Sequence, residues 1–313
     1  MRYLVRRTAS FVVVLFGVST LSFALGVFAP GDPAELFLER ALGRPPTDVQ
    51  IKEQRHQMGL DRPLAERYLA WLTGVTRGDL GESWSTGRGV FTELIEALPH
   101  TVILALAALT AAIGVAVPVG VAAAARPRSL VDHGSRIAAV LGSSLPSFFL
   151  GYLLMLVFGV HLRLLPVVGA SSASHLVLPA VTLASLAATF TRVIRSNVLV
   201  SLSEEYVRAA RARGVSEGLV LFRHALQPSL IPFITIVGLS LGHLLSGAVI
   251  VEWIFSWPGL GKLGVDAINN RDYPLIQGWV LVMSAAFAAS NLMADLAYMW
   301  ADPRVRLARG AEA

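Results

Sequence analysis

The hydrophobic pattern divides the chain into six long apolar runs that are separated by polar stretches. These runs cover residues 8–29, 101–124, 137–160, 176–198, 231–254 and 277–300. Each run is long enough to cross the hydrocarbon core of a bilayer, which takes about 20 apolar residues in a helix. The pattern therefore predicts an all-α polytopic membrane protein with six transmembrane helices. Pro118 and Pro146 are predicted to kink the second and the third of them.

The first run follows a short basic start that contains Arg2, Arg6 and Arg7. A basic start and an apolar run also mark a cleaved signal peptide, whose apolar part has about 7 to 15 residues. The run here is longer, which favours an uncleaved first transmembrane helix.

Residues 34–99 differ from the rest because they are polar and carry charges of both signs. Residues 47–58 are predicted to form a short helix, and residues 68–76 an interfacial helix that Tyr68 and Trp71 anchor. The stretch is too short for an enzyme domain with its own core. We expect it to lie outside the membrane.

The basic residues decide the predicted orientation, because short cytoplasmic loops carry an excess of arginine and lysine. One side of the membrane holds the N-terminal arginines and three further arginine groups, within residues 126–128, 208–223 and 304–309. We therefore expect both termini in the cytoplasm. The predicted regions are a first transmembrane helix at 1–29, an extracytoplasmic region at 30–97, a five-helix core at 98–302 and a cytoplasmic tail at 303–313.

Composition supports the membrane class and excludes others. The 313 residues are 54% hydrophobic and 15% charged, which is too apolar for an ordinary soluble domain. The net charge of +5 is modest and the basic residues lie near the ends of apolar runs, so nucleic acid is not an expected partner. The absence of cysteine excludes disulfides, thiol catalysis and thiolate metal sites.

A long basic and amphipathic segment, residues 204–232, lies between the fourth and fifth apolar runs. It is predicted to form two short helices that break at Gly214, a residue suited to the left-handed position after a helix end. Ser201 and Glu204 have the spacing of a capping box, and Ser216 is placed to cap the second helix.

The first of these helices has two different faces. Tyr206, Val207 and Ala210 fall on one face, and Glu204 and Arg208 are spaced for an ion pair on another. Such a segment fits two interpretations. It is either a rigid contact surface for a soluble partner or a basic helix that lies on anionic lipid.

Catalytic motifs are missing from the sequence. It contains no His-Glu-x-x-His and no Gly-x-Ser-x-Gly pattern. Residues 256–262 end like a phosphate-binding loop, but they lack the upstream glycine and the following Ser or Thr. We therefore expect a non-catalytic chain that hydrolyses no ATP and binds no metal.

Ionisable residues inside apolar runs are costly in a bilayer and call for partners. Asp295 lies in the sixth run, on one stripe with Asn291, and Arg192 and Arg195 lie at a similar depth in the fourth run. We predict that Asp295 pairs with one of the two arginines. The pair serves either helix association or gating.

The fifth run carries small residues at helical spacing, Gly238, Gly242 and Ser246, which favour close helix packing within the chain or against a second chain. His243 beside them is either a packing residue or part of a transport path. Small polar residues also suit a water-filled path, because the polar backbone of a peptide needs hydrogen-bond partners along the path. The candidates for such a path are His243, Ser144, Ser185 and Thr189.

The segment between runs four and five resembles the EAA loop, the signature of permease subunits of bacterial ATP-binding-cassette importers. Ala209, Ala210 and Gly214 stand at the signature spacing, whereas Arg208 replaces the signature glutamate and Pro228 lies one residue late. The resemblance implies a type I importer permease fold with a cytoplasmic coupling loop at 201–232. It assigns ATPase coupling to eight residues: Glu204, Glu205, Tyr206, Arg208, Ala209, Ala210, Arg211 and Gly214.

Seven further motifs are similar to those of the first permease of dipeptide and oligopeptide importers. In chain order they are Pro30-Gly31-Asp32-Pro33, Gly59-Leu60-Asp61-x-Pro63, Gly78-Asp79-Leu80-Gly81, Leu98-Pro99-x-Thr101, Val251-Glu252-x-x-Phe255-Ser256-Trp257-Pro258-Gly259-Leu260-Gly261, Arg271-Asp272-Tyr273-Pro274 and Asn291-Leu292-x-x-Asp295-x-x-Tyr298-x-x-x-Asp302-Pro303-Arg304. Each motif is weak alone, but their order and spacing are specific together.

This resemblance implies a multi-pass permease of the bacterial cytoplasmic membrane. Its implied partners are a second permease, two ATPase subunits and an extracytoplasmic solute-binding protein, with ATP and Mg²⁺ bound by the ATPases and no cofactor bound by this chain. The expected cargo is a peptide, and the same family also handles nickel, glutathione and haem-like cargo. A stand-alone channel or ion-coupled carrier is the alternative class.

Overall fold

The computed structural model describes residues 2–28 and 31–301, and the side chains of residues 11–28, 31–39, 41–245 and 248–294. Within this part of the chain the structure is helical, and the β pairing is one isolated bridge between Glu82 and Gly89. The α-helices are α1 (Arg2–Phe28), α2 (Pro33–Leu42), α3 (Asp48–Gln57), α4 (Leu64–Thr76), α5 (Val90–Ala125), α6 (Leu130–Ser144), α7 (Ser147–Leu154), α8 (Val177–Leu183), α9 (Ala187–Ser203), α10 (Glu205–Ala212), α11 (Glu217–Leu219), α12 (Gln227–Ile254), α13 (Leu260–Asn269) and α14 (Tyr273–Ala301).

The membrane-spanning pattern agrees with the sequence. In the described residues, five helical stretches are long and apolar enough to cross a membrane, and a bent pair of helices makes a sixth. The stretches are Phe11–Phe28, Val90–Ala125, Ala173–Ser203, Glu217–Leu245 and Tyr273–Ala294. An all-α, polytopic membrane fold is thereby confirmed.

Helix α5 is longer than the predicted second span. It begins at Val90 and has 36 residues, which corresponds to about 54 Å at 1.5 Å per residue. The hydrocarbon core is about 30 Å thick. The helix therefore projects beyond the hydrocarbon and includes residues 90–97 of the predicted extracytoplasmic region. It continues through Pro118, where the sequence predicts a kink.

The third predicted span does not form one kinked helix. Helices α6 and α7 are bent by 104° relative to each other. Leu145 between them has an extended backbone (φ −84°, ψ 128°), because a residue that precedes proline is disfavoured in the helical region. Pro146 therefore breaks the span instead of bending it.

The fourth and fifth spans also differ from the predicted bounds. The fourth is composite: a 3-10 turn at Ala173–Leu176 precedes α8, and another at Ala184–Leu186 separates α8 from α9. The fifth begins at Glu217, because α11, a π-helical turn at Val220–Leu226 and α12 follow one another without a break. The continuous helix therefore begins before residue 231, where the predicted apolar run starts.

The described residues form two compact units. The first unit draws on Met1–Pro99 and Lys262–Ala285, and the second on His100–Gly261 and Ala286–Ala313. The two units are defined by packing within the chain, whereas the predicted boundary at residue 97 is defined by where the chain enters the membrane.

Asp272 is a buried centre of hydrogen bonds in the first unit. It is 0% exposed and accepts hydrogen bonds from the Ser83 hydroxyl at 2.6 Å and the Ser85 hydroxyl at 2.7 Å. It also accepts from the amides of Ser85 and, at the start of α14, Leu275. One carboxylate thus caps α14 and holds the loop that precedes α5.

Arg55 connects two of the sequence motifs in the same unit. Its guanidinium lies 2.5 Å from Asp32, whose other oxygen accepts from the Ala34 amide at the start of α2, and 3.5 Å from Asp61. The hydrogen bond that Arg55 donates to Asp32 is the main reason that the pKa of Arg55 lies above its ordinary value. Both motifs thus contribute an Asp that lies beside the same arginine.

The second unit has a continuous apolar core. Phe190 of α9 packs edge-to-face on Phe233 of α12, with ring centroids 5.3 Å apart. Gly120 of α5 lets α9 approach closely, because a Cβ at this position would lie 2.8 Å from Ile194. The helices that flank the coupling segment therefore share one core.

The loop after α12 is folded around Glu252. This residue is 0% exposed, and it accepts a hydrogen bond from the Gly261 amide at 2.6 Å. A Cβ at Gly259 would lie 2.4 Å from the carboxylate, so only glycine fits. The Trp257 indole donates to the His100 carbonyl at 2.9 Å and closes the loop onto α5.

Asp132 and Arg195 form an ion pair that fastens α6 to α9. The Arg195 Nε lies 2.5 Å from one oxygen of Asp132, and its Nη2 lies 2.9 Å from the other. The Asp132 side chain is 2% exposed and that of Arg195 is 23% exposed. The backbone amide of Arg128 also donates to Asp132 at 2.9 Å. A two-pronged, largely buried pair of this kind is costly to break from one side.

We predict that Asp132→Ala destabilises the protein by roughly 3 kcal/mol, because it leaves the Arg195 charge buried without its partner. The thermal unfolding midpoint in detergent measures this effect. Arg126→Ala is the matched control and should shift stability by less than about 0.5 kcal/mol, because Arg126 is exposed and its side chain is in none of the ion pairs of the described residues. Equal unfolding midpoints for the two variants would contradict the assigned role of the pair.

Candidate ATPase-coupling site

Helix α10 is short, buried on one side and charged on the other. Val207 and Ala210 are 0% exposed, whereas Glu205, Arg208 and Arg211 are exposed. The helix begins after Glu204, whose extended backbone (φ −68°, ψ 151°) separates it from α9. The apolar side is held by the second unit, and the charged side is presented outward.

The end of α10 is fixed by a Schellman motif. Gly214 has φ +80°, in the left-handed region that the sequence predicts for it. Its amide donates to the Arg211 carbonyl at 2.9 Å, and the Val215 amide donates to the Ala210 carbonyl at 3.2 Å. Ser216 then occupies the N-cap position of α11, and its carbonyl accepts from the Val220 amide.

Tyr206 ties α10 to the beginning of the fifth span. Its hydroxyl donates to the carbonyl of His224 at 3.1 Å. Pro228, four residues after His224, has no amide hydrogen and cannot supply the α-helical donor that this carbonyl would otherwise accept. The tyrosine therefore donates to a carbonyl that Pro228 cannot serve, and the two elements are joined at that point.

An ion pair bridges the turn at Gly214. The Arg211 guanidinium lies 2.8 Å and 3.1 Å from the two carboxylate oxygens of Glu217. The hydrogen bonds that Arg211 donates to Glu217 hold the pKa of Arg211 above its ordinary value. Both residues are exposed, so the pair contributes little to stability. It does restrict the angle between α10 and α11.

Two local predictions for this segment are wrong. Ser201 does not cap α10; it lies in the last turn of α9, where its hydroxyl is 3.1 Å from that of Ser229. The expected ion pair of Glu204 with Arg208 is not among those of the described residues. Arg208 donates instead to the Ser203 carbonyl at 3.3 Å. The contacts that hold α10 come from the π-helical turn and α9, which the spacing within one helix does not predict.

The structure divides the eight predicted coupling residues into two groups. Ala210 is buried and holds the helix in place. The other seven are exposed: Glu204, Glu205, Tyr206, Arg208, Ala209, Arg211 and Gly214.

The predicted pairing of Asp295 is changed by the structure. Arg195 pairs with Asp132, which local spacing could not predict because the two are 63 residues apart. Arg192 is exposed and contacts Thr189. The side chain of Asp295 lies outside the described side chains, and its pairing with Arg192 stays a prediction.

The small residues of α12 face α14 within the chain. A Cβ at Gly238 would lie 2.9 Å from the Ala294 Cβ, and one at Gly242 would lie 3.0 Å from the Phe287 ring and 3.5 Å from Asn291. Close helix contact thus requires glycine at both positions. The side chain of Ser246 lies outside the described side chains.

The candidate path residues are accessible in the isolated chain. Ser144, Thr189 and His243 are exposed, and Ser185 is half-buried. Ser144 ends α6, and Ser185 lies in the 3-10 turn that packs against α6. These two small hydroxyl residues therefore belong to neighbouring elements, whereas His243 lies on α12.

Comparison with known proteins relates the whole chain to transport permeases. The family model for the binding-protein-dependent transport system inner membrane component matches residues 116–307, and the model for the N-terminal part of such membrane components matches residues 1–105. These matches include the coupling segment and both described units.

Three related proteins are similar over nearly their full length. The di/tripeptide transport system permease protein DppB of Pseudomonas aeruginosa is 38% identical, covering 97% of this chain and 98% of that protein. The oligopeptide transport system permease protein AppB of Bacillus subtilis is also 38% identical, with 97% and 98% coverage. The glutathione transport system permease protein GsiC of Escherichia coli is 39% identical, with 98% and 99% coverage.

These matches agree with the helical, membrane-spanning fold and with the resemblance found in the sequence motifs. The chain belongs to the family of inner membrane components of binding-protein-dependent transport systems, and it is a permease subunit of that family.

Proposed function

We propose that this chain is the first permease of an ATP-driven importer for di- and oligopeptides, and that residues 201–232 couple it to an ATPase subunit. One observation carries the coupling: α10 is an amphipathic helix whose apolar side is buried and whose charged side is free for a partner. A soluble partner must bind a membrane protein at an exposed polar surface of this kind, because the apolar spans present no polar surface to it.

The partners follow from the family and from this segment. They are an extracytoplasmic solute-binding protein, a second permease and two ATPase subunits that hold ATP and Mg²⁺. Each permease places its coupling helix in a groove of one ATPase. Closure of the ATPases on ATP then rocks the permeases, which requires that ATP bind the closed state more tightly than the open one.

The hydrogen bonds around α10 give a route for this motion. The Schellman motif fixes the end of the helix, Tyr206 joins it to the His224 carbonyl, and Arg211 joins it to Glu217. The helix that begins at Glu217 continues without a break into the fifth span. A displacement of α10 must therefore move that span with it.

The charge distribution supports a cytoplasmic position for the coupling segment and for both termini. Residues 30–97 and the loops around α13 then face the solute-binding protein. The Asp272 and Arg55 contacts keep this outer part ordered, as a docking surface requires.

Cargo is proposed from the relatives. Two of them carry di-, tri- or oligopeptides by name, and glutathione, the cargo of GsiC, is itself a tripeptide. Small peptides are therefore the cargo class that these relatives share, and glutathione is the second candidate. The accessible hydroxyls of Ser144, Ser185 and Thr189 suit a path for a solute with an unpaired peptide backbone.

We predict that cells in which this gene is deleted lose uptake of labelled dipeptides and tripeptides, and that uptake returns with the intact chain. Uptake of glutathione in the same cells discriminates between the two candidates. Restored glutathione uptake with unchanged dipeptide uptake would overturn the peptide assignment, and unchanged uptake of both would overturn the proposed cargo class.

We predict that Gly214→Ala weakens coupling without a steric clash. A Cβ at Gly214 meets no atom within 4 Å, so the cost is the left-handed backbone alone, about 1–2 kcal/mol for a non-glycine residue. The stimulation of ATP hydrolysis by loaded solute-binding protein should fall by up to about tenfold, the factor that corresponds to 1.4 kcal/mol.

Gly218→Ala is the matched control, because Gly218 also has no atom near its Cβ position but lies in a helix with negative φ. Alanine is favoured there, and coupling should be unchanged. Equal stimulation in the two variants would show that the geometry at Gly214 is not needed for coupling.

A further inference from the structure

The first unit contains a cavity and a groove that the transport proposal does not use. The cavity has a volume of about 520 Å³ and the groove one of about 410 Å³. Helices α1, α4 and α14 line both of them. Their position between the first span and two other helices calls for an explanation.

The cavity and the groove are neighbours along all three helices. The cavity is lined by residues 23–27 of α1, 67–71 of α4 and 273–277 of α14, and the groove by residues 12–19, 72–76 and 281–285 of the same helices. Contacts between the first two helices fix this arrangement. The Thr20 and Tyr68 hydroxyls are 2.8 Å apart, and the rings of Phe23 and Tyr68 lie 5.2 Å apart.

The cavity has charged residues in a largely apolar lining, and these residues carry excess positive charge. Its charged lining residues are Arg62, Arg67 and Glu82, which sum to one positive charge. Trp71 and the edge-to-face pair of Trp84 and Tyr273 supply aromatic walls. Arginine beside aromatic rings is a common arrangement where a membrane protein meets lipid head groups.

Arg67 lacks a counter-ion. It is half-buried, and within the described part of the chain its guanidinium has neither a hydrogen-bond partner nor an ion-pair partner. Nearby Arg55 differs, because Asp32 and Asp61 neutralise it. Burial, and then the charge of Arg55, hold the pKa of Arg67 below its ordinary value. An anion in the cavity would relieve both effects.

The groove has the opposite chemistry. Its lining is aliphatic and aromatic apart from Ser19 and Thr76, and it includes Phe16, Val75 and Leu281. A hydrocarbon chain fits such a surface, and a peptide or a free inorganic anion would leave it empty. The first span, Phe11–Phe28, supplies one wall of both features, so they lie where the bilayer supplies hydrocarbon.

We propose that the cavity and the groove together bind one phospholipid of the bilayer, with its phosphate at Arg67 and Arg62 and one acyl chain along the groove. The lipid supplies the missing counter-ion of Arg67 and fills the apolar space between α1, α4 and α14. Glu82 on the same wall suits the ammonium group of a zwitterionic head group. The site therefore acts as a lipid clamp that holds α4 against the first span.

Native mass spectrometry of the full-length chain, purified from its own membrane in mild detergent with whatever subunits accompany it, tests this proposal. The unaltered protein should retain one phospholipid. Arg67→Gln should lower that occupancy by about tenfold, the expected loss for one hydrogen bond to a charged group. Arg44→Gln is the control, because Arg44 is exposed and lines neither feature, and it should retain the lipid.

A second variant tests the acyl-chain groove separately. Val75→Phe should fill the groove and lower lipid retention, whereas Leu69→Phe, on an exposed position of the same helix, should not. Circular dichroism establishes that each variant is folded. Equal lipid retention by Arg67→Gln and Arg44→Gln would overturn the proposal. Loss of the lipid in Arg67→Gln with full retention in Val75→Phe would also overturn it, because the bound molecule would then be an anion that has no acyl chain in the groove. The readout needs no transport, so it is independent of the proposed importer function.

Discussion

A backbone amide or carbonyl in hydrocarbon must find its hydrogen-bond partner inside the protein, because no water is available to replace it. Each proline in a span removes one donor, and this chain resolves the deficit in different ways. At Pro146 the span is broken and its two helices meet at 104°. Before Pro228 the helix contains a π-helical turn, and a tyrosine from another element, Tyr206, donates to the carbonyl that Pro228 cannot serve.

The second solution has a mechanical consequence. The hydroxyl that satisfies the His224 carbonyl belongs to the helix that we assign to the ATPase contact, so a requirement of membrane folding also fastens the coupling helix to the fifth span. Val207 and Ala210 add apolar packing, and Gly214 permits the sharp reversal. Loops are mobile as a rule, whereas this segment is held at both ends and along one face. Such rigidity suits a segment that transmits a rigid-body motion from a soluble ATPase to a transmembrane span.

Local patterns predicted much of this structure from the sequence. Hydrophobic length gave six apolar runs, and the structure has five spanning helices and one bent pair. The left-handed turn at Gly214 was also predictable, because its cause lies in the glycine itself. The features that failed depend on distant residues. Ser201 bonds to Ser229 and not to the helix that follows it, and Arg195 pairs with Asp132 across 63 residues. The periodicity of one helix cannot predict contacts with residues that are distant along the chain.

The account depends most on the claim that the exposed side of α10 contacts an ATPase, and site-specific photocross-linking tests this claim directly. The chain has no native cysteine, so Ala209→Cys introduces a single thiol on the exposed side, and Ala210→Cys introduces one on the buried side. Each variant is treated in native membranes with a photoreactive maleimide, irradiated and analysed by mass spectrometry. Ser172→Cys, at another exposed position, is the labelling control. The account predicts an ATPase cross-link from position 209, labelling without that cross-link at 172, and little labelling at 210. Full labelling at 209 with cross-links to lipid alone would contradict it.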